Sequence, residues 1–154
     1  MKKLTAILLA IVMLAALCAC GGGAKDKEVD LGALAAELVA SDAFSDILNQ
    51  PADGVAARLY DIEDGAAKQV ILYVGTGATA EEIFLAEASD AAAASALKAA
   101  CEARVSDQTK VFANYAPGDV AKLDEAILVT SGNYVILVVA ADAAAARSIV
   151  DSYT

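Results

Sequence analysis

Histidine and tryptophan are absent from the sequence, cysteine occurs three times and proline twice, and 11 basic side chains face 21 acidic ones. Each shortage excludes something. Without histidine there is no Ser-His or Cys-His nucleophile pair and no His-containing zinc site. The formal charge of −10 repels phosphate backbones, so nucleic acid is not an expected partner. The N-terminal apolar run, Leu4 to Leu17, has 14 residues, short of the roughly 20 that span a bilayer as a helix. No acidic stretch has the alternating ligands of an EF-hand loop. Neither a metal nor a cofactor is expected.

What is present begins at the N-terminus. Lys2 and Lys3 precede the apolar run, and Leu17-Cys18-Ala19-Cys20-Gly21 closes it. Positive flank, short length and ending together read as an export signal. The ending resembles the lipobox of bacterial lipoproteins, in which an aliphatic residue and two small ones precede a Cys. That resemblance implies a signal peptide over residues 1–19, cleavage before Cys20, and lipidation of the Cys20 sulfur. Two or three acyl chains anchor stably, at about 0.8 kcal/mol per buried methylene. The expected location is the extracytoplasmic face of the cell membrane, with the membrane a partner through the lipid. The leader takes two lysines with it, leaving nine basic against 21 acidic side chains. The lipid must therefore hold without help from basic residues. Cys101 is then the only free thiol, with nothing in the chain to pair with.

Residues 20–29 read as the lipidated Cys and a flexible tether, and residues 30–154 as one α+β domain. Asp30 is the N-cap of a helix whose Leu31, Leu34, Ala35, Leu38 and Val39 form one apolar stripe. A short helix carrying Phe44, Ile47 and Leu48 starts at Ser41 or Asp42 and stops near Pro51. Val55 to Tyr60 has no decisive pattern. Gln69 to Val74 reads as a buried strand and Glu82 to Ser89 as another, with turn composition before them at 61–65 and a loop between them at 75–79. Asp90 caps an Ala-rich helix with Leu97, Cys101 and Val105 on one face, running on toward Phe112. Ala126 to Thr130 and Tyr134 to Ala140 are strands about a tight Gly132-Asn133 turn. Asp142 caps the last helix.

Shifting Ile83–Leu97 by 52 positions lays it on Val135–Ile149, with Leu85 on Leu137 and Asp90 on Asp142. Two ββα units are the result. They build a four-stranded, largely antiparallel sheet with helices packed on one face and the N-terminal helices outside or over an edge.

Four stretches carry a wider resemblance: Leu59-Tyr60-Asp61-Ile62, Ala80-Glu81-Glu82-Ile83 leading to Glu87-Ala88, Glu102-Ala103-Arg104 ahead of Phe112-Ala113-Asn114-Tyr115, and Ser131-Gly132-Asn133-Tyr134-Val135. They resemble the small bacterial lipoproteins built on domain of unknown function 4358, mostly Gram-positive and clostridial in kind. The resemblance runs from about Asp30 to the end. It implies a lipobox signal and brings no activity with it.

Several motifs invite chemistry. Gly75-Thr76-Gly77-Ala78-Thr79-Ala80 imitates a dinucleotide fingerprint, but the alternating Ile83 and Leu85 after it fit a hairpin and not the helix a pyrophosphate needs. Asp61, Glu63 and Asp64 offer oxygens to a cation and are expected to form a solvated turn. Glu81, Glu82 and Glu87 invite a paired-carboxylate glycosidase reading, which means little among 21 acids. Cys101 is expected to be an inert core residue, and no local signature supports a Ser-Lys dyad. Tyr115 beside Pro117 and Tyr134 beside the hairpin turn are the candidate interaction residues. The expected function is a non-enzymatic interaction or binding module with a protein partner in the cell envelope. The alternatives are an accessory subunit of a membrane transport or envelope-processing system and, third, an enzyme using carboxylates or Ser/Lys.

Overall fold

A computed structural model describes residues 28–154. The expectations for the leader, for Cys20 and for the tether up to Lys27 lie outside the described residues. Asp30 accepts the Ala33 amide at 2.9 Å and opens α1 (Leu31–Ala40), which buries Leu31, Leu34, Ala35 and Leu38 while Val39 turns outward. Burial starts one residue earlier than the tether assignment allowed, because Val29 packs into the core.

The helix expected from Ser41 does not form. Residues 41–50 run as bends, and Asn49 pairs with Val74 in an isolated antiparallel bridge. Long-range partners outcompete local turns here. The Glu81 carboxylate takes the amides of Ser45 and Asp46, and the Asp46 carboxylate takes Thr76 and Thr79.

The remaining elements are α2 (Val55–Leu59), β1 (Ala67–Val74), β2 (Glu82–Ala88), α3 (Ala91–Tyr115), a 3-10 turn (Pro117–Asp119), α4 (Val120–Asp124), β3 (Ile127–Ser131), β4 (Tyr134–Val139) and α5 (Ala143–Tyr153). Asp90 and Asp142 cap α3 and α5 through the amides of Ala93 and Ala145. The strands form one antiparallel sheet in the order β1-β2-β4-β3. The α+β class and the four-stranded antiparallel sheet are thus as the sequence implied. β1 is an edge strand with only Leu72 fully buried. The Asn49 bridge closes its end, and Pro51 has no N–H with which to extend that ladder.

The placement of the helices differs from the one-face arrangement. Ile83, Leu85, Ile136 and Val138 point to one side of the sheet, where α1 and α5 cover them. Phe84, Ala86, Val135, Leu137 and Val139 point to the other, under α3 with α2 and α4. The central strands are buried on both faces, which is why Ile83–Ala86 and Val135–Val139 are continuous apolar runs. The same fact undercuts the 52-residue repeat. Two ββα units related by a dyad through this sheet would keep their helices on one face. A shift of 52 instead sends Phe84 onto Ile136, across the pleat, and α3 and α5 emerge on opposite sides. The two units share an order of elements and do not superpose.

Candidate functional site

The Ala-rich composition of α3 favours one long helix. Its 25 residues extend about 37 Å, whereas the seven residues of β2 extend about 23 Å. The buried stripe Ala94, Leu97, Cys101 and Phe112 keeps α3 on the sheet, and the excess length carries its last turns past the sheet end where β1 turns into β2. Between this overhang and the 75–80 loop lies a cleft of about 430 Å³, lined among others by Leu59, Gly77, Thr79, Arg104, Gln108, Val111 and Tyr115. Among the described residues five large apolar side chains are exposed, and three of them, Leu59, Val111 and Tyr115, line this cleft. Tyr115 is 66% exposed, with its ring edge-on to the buried Phe112.

Below the cleft sits a buried ion pair. Arg104 Nη2 meets Glu82 at 2.7 Å and Nε meets it at 3.2 Å. The Tyr60 hydroxyl donates to the same carboxylate, and the Tyr60 ring stacks on Phe84 with the Arg104 guanidinium 5.9 Å from its centre. Burial first, and then the Glu82 charge, push the Tyr60 hydroxyl well above its ordinary pKa. Burial opposes the charge on Arg104, but the Glu82 carboxylate outweighs it and raises the guanidinium further.

Next to it in sequence, Glu81 points the other way. Its carboxylate is fully buried and accepts from the Ser45 amide, the Ser45 hydroxyl, the Asp46 amide and Lys122, the last at 2.8 Å. Burial works against the Glu81 charge, but these donors outweigh it and lower the pKa. Asp46 follows the same logic: some desolvation opposes its charge, yet Thr79, Thr76 and the Ile47 amide bring it down to about 2. Asp119 receives the Ala80 amide and lies 2.8 Å from Lys122. This network clasps residues 41–50 and α4 to the sheet end.

The structure also settles where the other candidates sit. Ser45 Oγ and Lys122 Nζ come within 3.4 Å. The lysine, however, is held between Asp119 and Glu81, which overcome its burial and raise its pKa, the opposite of what a proton-accepting lysine needs. Glu81, Glu82 and Glu87 do not converge, because each takes its own cation: Lys122, Arg104 and Lys68. The Gly75–Ala80 stretch joins antiparallel strands and is the expected hairpin loop. Cys101 is buried in the core, and burial pushes its thiol up to about 12. Asp61, Glu63 and Asp64 edge a second hollow of about 480 Å³ at the start of α3. Its far wall is mostly alanine and it holds none of the exposed large apolar side chains.

Tyr115 stands on the cleft rim. Tyr134 does not: it packs against the α1 and α5 side, opposite Glu87 at the other end of the strands. The sequence reading missed Leu59, Arg104, Gln108 and Val111. A signal was there, since Arg104, Gln108, Val111 and Tyr115 recur at i, i+4, i+7 and i+11, one line along a helix.

A family model described as Domain of unknown function (DUF4358) matches residues 48–140. The chain belongs to the DUF4358 family. The matched segment contains every residue that lines the cleft, whereas α1 and α5, the helices of the opposite face, lie outside it. No curated protein and no solved structure matches the chain.

Proposed function

We propose that this DUF4358 protein is a lipid-anchored extracytoplasmic lipoprotein whose folded part is a non-enzymatic interaction module, with the cleft at the end of α3 as its contact surface. The observation that carries the reading is the grouping of Leu59, Val111 and Tyr115, exposed together beside a charged network whose members are paired with one another. Exposed apolar side chains gathered at one concave place are the usual mark of a contact site. The Leu17-Cys18-Ala19-Cys20 ending supports the anchor. An acidic domain held by acyl chains through a flexible tether presents its cleft to other envelope components within the tether's reach of the membrane.

Two experiments test the two halves. Cys20→Ala is expected to release the protein from the membrane fraction or leave it as an unprocessed precursor; a processed, lipid-labelled Cys20→Ala protein in the membrane would contradict the anchor. In-cell crosslinking of the wild-type protein is expected to capture a specific envelope partner that is lost with Val111→Asp. Equal capture by both proteins would move the contact away from the cleft.

A further inference from the structure

We propose that the cleft binds an uncharged peptide segment, with an aliphatic or aromatic side chain seated among Leu59, Val111 and Tyr115 and its peptide carbonyls on hydrogen-bond donors of the cleft wall. The proposal rests on the interaction reading above and gives the partner a chemistry.

The donors are identifiable by what they do not touch. Gln108 is half-buried and lines the cleft; its side-chain amide makes no hydrogen bond among the described residues and is not sealed from solvent. Around the loop, Gly75 N–H goes to Glu81, Thr76 N–H to Asp46 and Ala80 N–H to Asp119. Gly77 and Thr79 are also lining residues, and their amides have no acceptor among the described residues. A wall rich in unspent N–H groups calls for an occupant rich in acceptors.

Charge decides which acceptors. Among the described residues lining the cleft Arg104 is the one cation and Glu82 already neutralises it, while the chain as a whole carries −10, so a carboxylate or phosphate would meet a repulsive field there with no unpaired lining cation to offset it. Neutral carbonyls remain. The rim decides what carries them: Leu59, Val111, Phe112 and Tyr115 offer hydrocarbon, which suits an apolar side chain better than a sugar's hydroxyls. About 430 Å³ falls within the roughly 300–1,000 Å³ of small-ligand pockets, room for one side chain and the peptide units beside it.

The test is an amide NMR titration of the folded protein with four blocked tripeptides. Each is an acetylated, C-amidated alanyl-X-alanine in which X is leucine, tyrosine, aspartate or lysine. Leucine and tyrosine peptides are expected to shift the amides of Gly77, Thr79, Gln108, Val111 and Tyr115, with aspartate at least tenfold weaker because of the repulsive field and lysine weaker than leucine because its ammonium has no apolar seat at the rim. A lysine peptide that binds more tightly than leucine overturns the uncharged occupant. Gln108→Ala should weaken the leucine peptide about fivefold, the worth of one neutral hydrogen bond, and Val111→Asp more. Val111 is exposed and Gln108 only half-buried, so both variants are expected to stay folded, which the same spectra check. Equal binding of all four peptides, or shifts away from the cleft, overturns the proposal. If neither neutral peptide binds while Val111→Asp still abolishes the in-cell crosslink, the peptide chemistry falls and the interaction reading stands. If that crosslink is indifferent to Val111→Asp as well, both fall.

Discussion

Glu81 and Glu82 are neighbours in sequence, both buried, both paired to a cation, and the pleat sends them to opposite sides of the sheet. Around Glu81 the donors come from two other segments, the 41–50 bend and α4, and the carboxylate is completely enclosed. Around Glu82 they come from Tyr60 and from α3, and the pair opens onto the cleft. One network locks three segments together around a carboxylate that is itself sealed from solvent. The other makes the floor of a surface that still has apolar contacts and N–H groups to give. Two adjacent carboxylates thus separate the closure of the fold from the place where it can engage something else.

The comparison can be broken by mutation, and the largest effect belongs to Glu82. Glu82→Ala strands the Arg104 guanidinium, only 19% exposed at its side chain, and is expected to cost about 3 kcal/mol or more in urea unfolding. Glu81→Ala should cost less, about 2 kcal/mol, because Lys122 keeps Asp119 at 2.8 Å. Its signature is local: the amides of Ser45 and Asp46 should exchange with solvent much faster, while those in α3 do not. A smaller effect comes from pH. The Asp46 carboxylate lies below its ordinary 3.8, at about 2, so its bonds to Thr76 and Thr79 stabilise fully above about pH 4 and are lost as the pH falls toward 2. Amide exchange of residues 75–79 read across that window should rise in Asp46's acid limb, and Asp46→Asn should flatten the dependence. Smallest of all is Tyr115→Ala, expected within about 0.5 kcal/mol of wild type in stability because the ring stands in solvent. If Tyr115→Ala instead unfolds the protein, the rim is core and the comparison is wrong.

Much of the scaffold was legible in the sequence. Asp30, Asp90 and Asp142 announced three caps, Gly132 with φ 56° announced the hairpin, and four apolar runs announced four strands. Two things were harder for physical reasons. The burial of Ile83 to Ala86 on both faces looks the same in sequence as a strand buried on one side with apolar residues to spare, so the helices were placed on one face. The bends at 41–50 have a helix-like apolar spacing, and partners some 25 to 36 residues away override it: Glu81 on Ser45 and Asp46, Thr76 and Thr79 on Asp46, and Val74 on Asn49. For the site, Tyr115 was visible as an aromatic beside a proline. Its companions were not, because Leu59 and Val111 look like core residues until the length of α3 carries its end beyond the sheet.

The central claim is that contact is made at the α3 end of the sheet. The direct measurement places a photo-crosslinking amino acid at position 115 in one strain and at position 134 in another, in otherwise intact, membrane-anchored protein. The account predicts a discrete, reproducible adduct with an envelope protein from position 115 and none from position 134, which lies on the opposite face and at the opposite end of the strands. An adduct from 134 with none from 115 would contradict it.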